Sequence, residues 1–481
     1  MSRKSATSGV LWSIVDLGGG QALSFATFLI VARIVSPEEY GTFALASSII
    51  SFAFFLVQGL APAVVQRRSI TAVHTSTAFW TSAAAGCSCT ALIAASAHAL
   101  SELLDNPLLE PVLAWMSLIC LPMSLTSVPM ALLRRELRMA GWAARTFTGY
   151  IAIAAVSIPL ALNDFGALAL AFGQIAQSVT TIAVVFAASR WRPRLQFSMP
   201  VFFELGRYSA HYITGTAIWV ATSKVDVWIL AAFLDARSVG LYALATRVLE
   251  AVASVTTLPV MRLTVPLLSP LRSDAAQFTR QYERVVIGAT SAWLPAVLGI
   301  GVALAPFVPD VLGERWAESV PVLQAMCLSA FTLSVTWFTG ETLSAWGRPD
   351  VFSRLEGIRL LVTAVAFLIA AQFGTVAAGF AWALVPVILF PIHLTVLAGT
   401  ASIRADRLLA GWSKLAVSGS VMVGVMFAVG RLNVFGQWVP VAALAAGAAT
   451  YALLLDRVML RGCVNRVISS AIPVAVSQVK R

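Results

Sequence analysis

Gly41-Thr-Phe-Ala-Leu-Ala46 opens a stretch, 41–65, with no charged side chain. About 20 apolar residues in a helix cross the hydrocarbon of a bilayer, so this stretch reads as one membrane span. The motif returns 199 positions later as Gly240-Leu-Tyr-Ala-Leu-Ala245, matching at five of six positions when Phe43 is paired with Tyr242. Ile30 falls on Ile229 at the same offset. A second echo, at offset 208, pairs Phe165-Gly166 with Phe373-Gly374. Each member of the first echo lies in the first hairpin of a six-span block, and each member of the second precedes the span that closes one. Six is even, so both blocks start on the same side, and the repeats are parallel about an axis along the membrane normal.

Composition agrees with that reading. Of 481 residues 59% are hydrophobic and only 11% are charged. Disorder requires the opposite balance, and a soluble enzyme would lack the polar surface to cover so much apolar volume. Cutting at charge clusters and turn residues gives fourteen candidate spans, 10–33, 41–65, 76–98, 111–133, 142–162, 166–188, 209–233, 240–268, 285–308, 318–342, 355–373, 376–399, 413–430 and 437–456. The expected fold is an all-α polytopic membrane protein of about 14 transmembrane helices. Residues 1–197 form a first six-span lobe, 198–402 a second, and 403–481 the last two helices and a tail. The run Val10 to Val35 is too long for the apolar core of a signal peptide, about 7–15 residues, and is read as a retained first span.

Charge sets the orientation. If the N-terminus is inside and the spans alternate, only Arg33, Arg237, Arg315 and Arg431 of the 33 Lys and Arg fall outside, and Lys224 and Arg247 lie within spans. Such a bias is the positive-inside rule, and one missed span would scramble it. It predicts both termini inside. The net charge of +11 is thereby assigned to topology rather than to a nucleic-acid partner. The connection 189–208, with Arg190-Trp-Arg-Pro-Arg194, reads as a cytoplasmic anchor or a phospholipid headgroup contact. The five cysteines lie in or beside apolar runs, the four histidines lack zinc spacing, and no phosphate-binding loop or catalytic triad pattern is present. No cofactor and no enzymatic activity are expected.

Several stretches resemble a known family. They are Ser8-Gly-Val-Leu-Trp-Ser13, Val31-Ala-Arg-Ile-Val-Ser-Pro-Glu-Glu-Tyr-Gly41, Arg134-Arg-Glu-Leu-Arg138, Leu234 to Ala245, and Gly313-Glu-Arg-Trp-Ala-Glu-Ser-Val-Pro-Val-Leu-Gln324. Together they resemble the polysaccharide transporters of the multidrug/oligosaccharidyl-lipid/polysaccharide flippase superfamily, of the Wzx-like and colanic acid exporter type. The resemblance implies a two-lobe helical bundle in a bacterial inner membrane. It also implies a substrate, an undecaprenyl-diphosphate-linked oligosaccharide turned from the inner to the outer leaflet for exopolysaccharide, O-antigen or capsule. A cation-coupled drug exporter and a peptidoglycan lipid-precursor flippase are the alternatives.

Charges within spans are costly and need a reason. Lys224, Asp226, Arg247 and Glu250 lie at one depth on spans 7 and 8. Arg247 and Glu250, three apart, can pair on one helix face, whereas Lys224 and Asp226, two apart, cannot face the same way. Two readings stay open: an ion-pair cluster pinning the two spans together, or a polar wall of a central cavity where Lys224 and Arg247 would meet the diphosphate of the implied substrate. Gln58 and Gln174 are further cavity candidates, with Gln177 a third polar amide within the spans. Asp16, beside Gly18-Gly-Gly20 and Gln21, marks either close helix packing or a hinge with a coupling carboxylate. The coupling ion would be a proton or Na+. Bilayer lipids, a polysaccharide polymerase and a chain-length regulator are the expected partners of a monomer.

Overall fold

The computed structural model describes residues 20–58, 60–67, 69–136, 138–401, 403–432 and 439–458. Among these residues there are helices and no strands. In chain order the α-helices are α1 (Gly20–Ile34), α2 (Pro37–Gln58), α3 (Ala61–Gln66), α4 (Ala72–Leu103), α5 (Leu109–Ser117), α6 (Cys120–Arg135), α7 (Met139–Leu162), α8 (Ala167–Ser189) and α9 (Met199–Phe233). They continue as α10 (Ala236–Thr256), α11 (Leu258–Leu268), α12 (Ala275–Gly299), α13 (Val308–Leu312), α14 (Ser319–Cys327) and α15 (Leu333–Trp346). The last are α16 (Pro349–Ala370), α17 (Thr375–Ala401), α18 (Ala405–Leu432) and α19 (Val439–Val458).

Among the described residues ten helices are long and apolar enough to cross a membrane, or eleven if the bent pair Ser319–Phe331 and Val335–Trp346 is one span. Gly20–Ile34, Leu258–Leu271 and Val439–Leu455 are shorter apolar helices. Several expected boundaries are corrected; α12 begins at Ala275 rather than 285 and α18 at Ala405 rather than 413. The α9 helix begins at Met199 rather than 209, so the connection shrinks to 190–198. That segment is docked on α4: the amides of Arg194 and Ser198 donate to Ser76 and Thr77, and Trp80 donates to the Arg194 carbonyl. The α16 helix begins at Pro349 rather than 355, which adds Asp350 and Arg354 to the helix that carries Glu356 and Arg359.

The repeat has a structural meaning. Helix α2 starts with a capping box, in which Ser36 N donates to Glu39 Oε2 (2.8 Å) and Glu39 N to Ser36 Oγ (3.2 Å), with Pro37 in the first turn. At offset 199 Ser36 becomes Asp235, whose carboxylate caps α10 by accepting from Ser238 N at 2.9 Å. The two helices then cross backbone on backbone. A Cβ at Gly41 would stand 1.9 Å from Ala236 O, and one at Gly240 would stand 1.8 Å from Pro37 O. Pro37 and Ala236 are themselves 199 apart, so the contact is its own two-fold mate. The second echo is local instead. Gly166 and Gly374, before α8 and α17, have φ of 53° and 91°, where a side chain is strained.

The α1–α2 hairpin is clamped from the far half of the chain. The last carbonyls of a helix lack intrahelical partners. Here Ala32 O accepts from Trp316 Nε1 (2.9 Å), Arg33 O from Arg315 Nη2 (2.6 Å) and Ile34 O from Arg315 Nη1 (3.0 Å). Trp316 is wholly buried and meets Tyr40 edge to face. Thus two of the stretches that carry the resemblance, Val31–Gly41 and Gly313–Gln324, interlock.

Replacing Gly41 by alanine is expected to cost about 3 kcal/mol, the upper range for overpacking, because the clash is with backbone. Gly206→Ala, whose Cβ would meet nothing within 4 Å, serves as the control. Thermal unfolding of the detergent-purified proteins should show a clear fall for Gly41→Ala and none for Gly206→Ala. Equal midpoints would contradict the crossing.

Candidate functional site

Below the α2–α10 crossing the helices splay and leave a cavity of about 1260 Å³. Its walls come from α2, α3, α6, α7 and α8 on one side and from α9 and α10 on the other. It runs from Ser47 and Glu250, deep in the bundle, to Gln66, Arg134 and Arg145 at the end opposite the Gly41–Gly240 contact. The crossing end is closed by the Arg315–Trp316 clamp and by an ion pair between Arg237 and Glu318 (3.2 Å). At the arginine-rich end, Arg67 pairs with Glu204 at the start of α9, and Arg135 donates to the carbonyls of Val64, Val65 and Arg67. The Arg67 guanidinium holds the Glu204 carboxyl below its usual range.

Of the residues singled out from sequence, Lys224, Glu250, Gln174 and Gln177 line this cavity. Among the described residues no carboxylate lies within 4.0 Å of the Lys224 ammonium. Arg247 does pair with Glu250, at 3.8 Å, as the spacing of three predicts. The Glu250 side chain is nonetheless 61% exposed, into the cavity. Two of the predicted cavity residues lie off its wall. Arg247 turns to α1, donating to Ser24 Oγ at 2.7 Å and stacking over Phe28. Asp226 accepts from Tyr242 Oη at 2.6 Å and from Val227 N. Both tie helices together, and neither is a lining residue.

Asp16, Gly18 and Gly19 lie outside the described residues, as does the side chain of Gln58. Gly20 opens α1 and packs closely: its Cβ would stand 3.1 Å from Tyr150 and 3.3 Å from Thr146 on α7. Gln21 follows it in the same helix.

The sequence reading missed the strongest feature of the cavity. Arg134 and Arg145, counted there only as topological charges, place their guanidinium carbons 5.1 Å from the Trp142 ring centroid, and all three line the cavity. Cation–π stacking of this kind holds a guanidinium in place, and Arg145 Nη2 also donates to Thr146 Oγ1 at 3.2 Å. The available signal was Trp142 within eight residues of Arg134 and three of Arg145. Tyr150 stands further along α7, and Gln177 reaches over Gly149, where a Cβ would be 3.0 Å from its side chain. Among the described residues no cluster of His, Cys, Asp and Glu could hold a metal ion. Of the cysteines there, Cys87 is exposed, and Cys89, Cys120 and Cys327 are buried and free.

The sequence profile of the family described as "Polysaccharide biosynthesis protein" matches residues 30–321. The chain is 26% identical over 392 residues to the succinoglycan biosynthesis transport protein ExoT of Rhizobium meliloti (strain 1021), covering 79% of this chain and 78% of that one. It is 24% identical over 379 residues to the lipopolysaccharide biosynthesis protein WzxC of Escherichia coli (strain K12), covering 77% and 76%. Among solved structures, the lipid II flippase MurJ in an inward closed conformation superposes with a TM-score of 0.74 at 13% identity, over 93% of this chain and 98% of that one. That last likeness is one of fold.

Single cysteines at Thr126, Ser178 and Ser223, all lining residues, test the cavity. With the native cysteines replaced by serine, each should react with a membrane-impermeant maleimide from one face of the membrane only, the same face for all three. Labelling from both faces, or from neither, would contradict a cavity closed at the crossing end.

Proposed function

Because the chain belongs to the family of polysaccharide biosynthesis proteins, we propose that it translocates undecaprenyl-diphosphate-linked oligosaccharide repeat units across the bacterial inner membrane. The observation that carries this reading is the cavity. At about 1260 Å³ it exceeds the roughly 300–1,000 Å³ usual for a small-ligand pocket. Its lining is neither uniformly apolar nor uniformly charged. Arg134 and Arg145 flank an aromatic ring near one end, Lys224 stands deep, and amides and hydroxyls of Gln174, Gln177, Ser178 and Thr181 lie between. Glycans are bound by such amide and aromatic surfaces, and a diphosphate by charge-assisted hydrogen bonds from guanidinium and ammonium groups.

In this reading the arginine-rich end faces the cytoplasm, following the positive-inside bias, and both termini lie inside a set of fourteen spans. Residues 1–197 and 198–402 act as two lobes that rock about the α2–α10 crossing, followed by the helices of 403–481. The diphosphate enters past Arg134 and Arg145 and is drawn toward Lys224. Release outward requires the Arg315–Trp316 clamp to part. Glu250 opposes the anion at the deep end, so the attraction is graded rather than a trap. Polymerisation outside would fall to a separate polymerase and chain-length regulator.

A deletion strain should accumulate lipid-linked repeat units on the cytoplasmic face and lose polymer, with restoration by the wild-type chain. Losing one charge-assisted hydrogen bond is worth about 1.5–3 kcal/mol. Lys224→Gln and the double change Arg134→Gln/Arg145→Gln should therefore each lower export roughly tenfold or more at equal protein level. Glu250→Gln should leave export intact or raise it. Undiminished export by the Lys224 and arginine variants would overturn the assignment of these residues.

A further inference from the structure

The segment between α8 and α9, 190–198, carries Arg190-Trp-Arg-Pro-Arg194, and no residue from 190 to 207 lines the cavity. Pro193 lacks an N–H and disfavours helix for the residue before it, so the backbone here must find partners elsewhere. It finds them on α4. Arg194 N and Ser198 N donate to Ser76 and Thr77, and Arg194 O accepts from Trp80. The Trp191 ring packs on Phe79 and Phe186, at centroid separations of 5.5 and 6.4 Å. Arg192 folds back and donates to Phe186 O at 2.9 Å. The segment is thereby held in one shape against the first half of the bundle.

The first turns of α9 continue it with two unlike faces. Val201, Phe202 and Leu205 pack onto α3, α4 and α6, and Leu205 is wholly buried. Met199 and Phe203, one turn apart, point the other way, and Phe203 is 65% exposed. Phe197 is also exposed, and Leu195 is 91% exposed. Phe197 meets Phe202 at 6.2 Å and Phe202 meets Phe203 at 5.4 Å, so the connection and the helix share one apolar surface. Arg190 and Arg194 are exposed as well. Among the described residues neither guanidinium has a hydrogen-bond or ion-pair partner. From Asp164 to Glu204 the chain has no acidic residue in between, and Glu204 is taken by Arg67.

Water disfavours the apolar side chains, and hydrocarbon disfavours the guanidiniums. The headgroup layer suits both, because phosphates and the first acyl carbons meet there. We propose that residues 190–203 form a binding surface for an anionic phospholipid of the cytoplasmic leaflet. Its phosphate sits on Arg190 and Arg194, and its acyl chains lie against Leu195, Phe197, Met199 and Phe203. Guanidinium groups hold phosphate by charge-assisted hydrogen bonds. Two unopposed positive charges favour a net-negative headgroup, phosphatidylglycerol, over phosphatidylethanolamine, whose ammonium they repel. A second copy of this chain fits poorly, since a two-fold contact would set the same positive surface against itself. The segment leaves α8, rests on α4 and leads into α9, so a lipid bound here fastens the joint between the two halves. The proposal needs the membrane orientation given above and is independent of what is transported.

Two measurements on the full chain test this. First, the detergent-purified protein is titrated with phosphatidylglycerol or with phosphatidylethanolamine of matched acyl chains, and bound lipid is counted by native mass spectrometry. The wild type should bind phosphatidylglycerol more tightly, and Arg190→Gln/Arg194→Gln should weaken that binding roughly tenfold or more. Arg348→Gln/Arg404→Gln, which removes two arginines paired with Asp350 and Asp406, should not weaken it. Equal loss in both variants would assign the binding to net charge, and no loss in the first would empty the surface; either result overturns the proposal. Displacement of the lipid by excess inorganic phosphate would mark an ion site and overturn it too. Second, nitroxide labels at Leu195→Cys and Phe203→Cys, with the native cysteines replaced by serine, are read in phosphatidylglycerol-containing vesicles. Both should be relaxed by oxygen more than by a water-soluble nickel chelate. The reverse order overturns the apolar half of the surface, and a dimer lost on Phe203→Ser would give the surface to a second copy instead.

Discussion

Two glycines decide how the chain can close. Gly41 and Gly240 let α2 and α10 approach until a hydrogen on each Cα faces the other helix's backbone oxygen. Because Pro37, Gly41, Ala236 and Gly240 exchange roles at offset 199, the contact constrains both halves at once. A change that pushed one helix away would move its counterpart by the same amount. A neighbouring pair of contacts keeps that register on one side of each contact. Ser48 of α2 accepts from Trp228 of α9, and its counterpart Arg247 of α10 donates to Ser24 of α1. Each half is thereby joined to the first described helix of the other by a side chain at the same register. The residue types differ, a hydroxyl against a guanidinium, but the position is kept.

The clamp at the end of α1 builds on that crossing. Three successive carbonyls would be orphans at a helix terminus, and Arg315 and Trp316 occupy all three. Helix ends are also where the backbone dipole favours a cation, so the Arg315 charge and its hydrogen bonds act together. With one end held this way, the splay of the helices is confined to the other end, where the cavity lies. An opening on the crossing side would have to expose these carbonyls to water, which can replace the lost partners at modest cost. A reversible latch needs that property, and a clamp made of apolar contact alone would lack it.

Periodicity and charge showed where the helices run, because crossing a bilayer imposes length and excludes charge. The turns of the Ser36 and Asp235 caps, and the glycines before α8 and α17, could likewise be read from short motifs. What each helix presents to the interior could not. Depth along an axis follows from counting residues, but the direction around it depends on neighbours far away in sequence. Of Lys224, Asp226, Arg247 and Glu250, only Lys224 and Glu250 face the cavity. Arg134 and Arg145 were absorbed into the positive-inside count, and the count was blind to the ring between them. Glu356 and Arg359 fall within the expected span 355–373, yet counting along the axis gives no sign that Glu356 is buried.

The two halves share a frame but not a lining, and the second echo makes the comparison possible. At offset 208 the start of α17 falls on the start of α8, so positions can be compared within the frame. Tyr150, Gln174 and Gln177, which line the cavity, become Ile358, Trp382 and Val385. In the other direction Glu356, Arg359 and His393 become Thr148, Ile151 and Val185, and Val185 is as buried as His393. Polar groups cost too much within a membrane to be retained idly on either side. Their complementary placement gives the first half polar cavity-lining residues and the second a buried Glu356 paired with Arg359 and a buried His393. The two halves nonetheless meet through one shared backbone contact, the Gly41–Gly240 crossing.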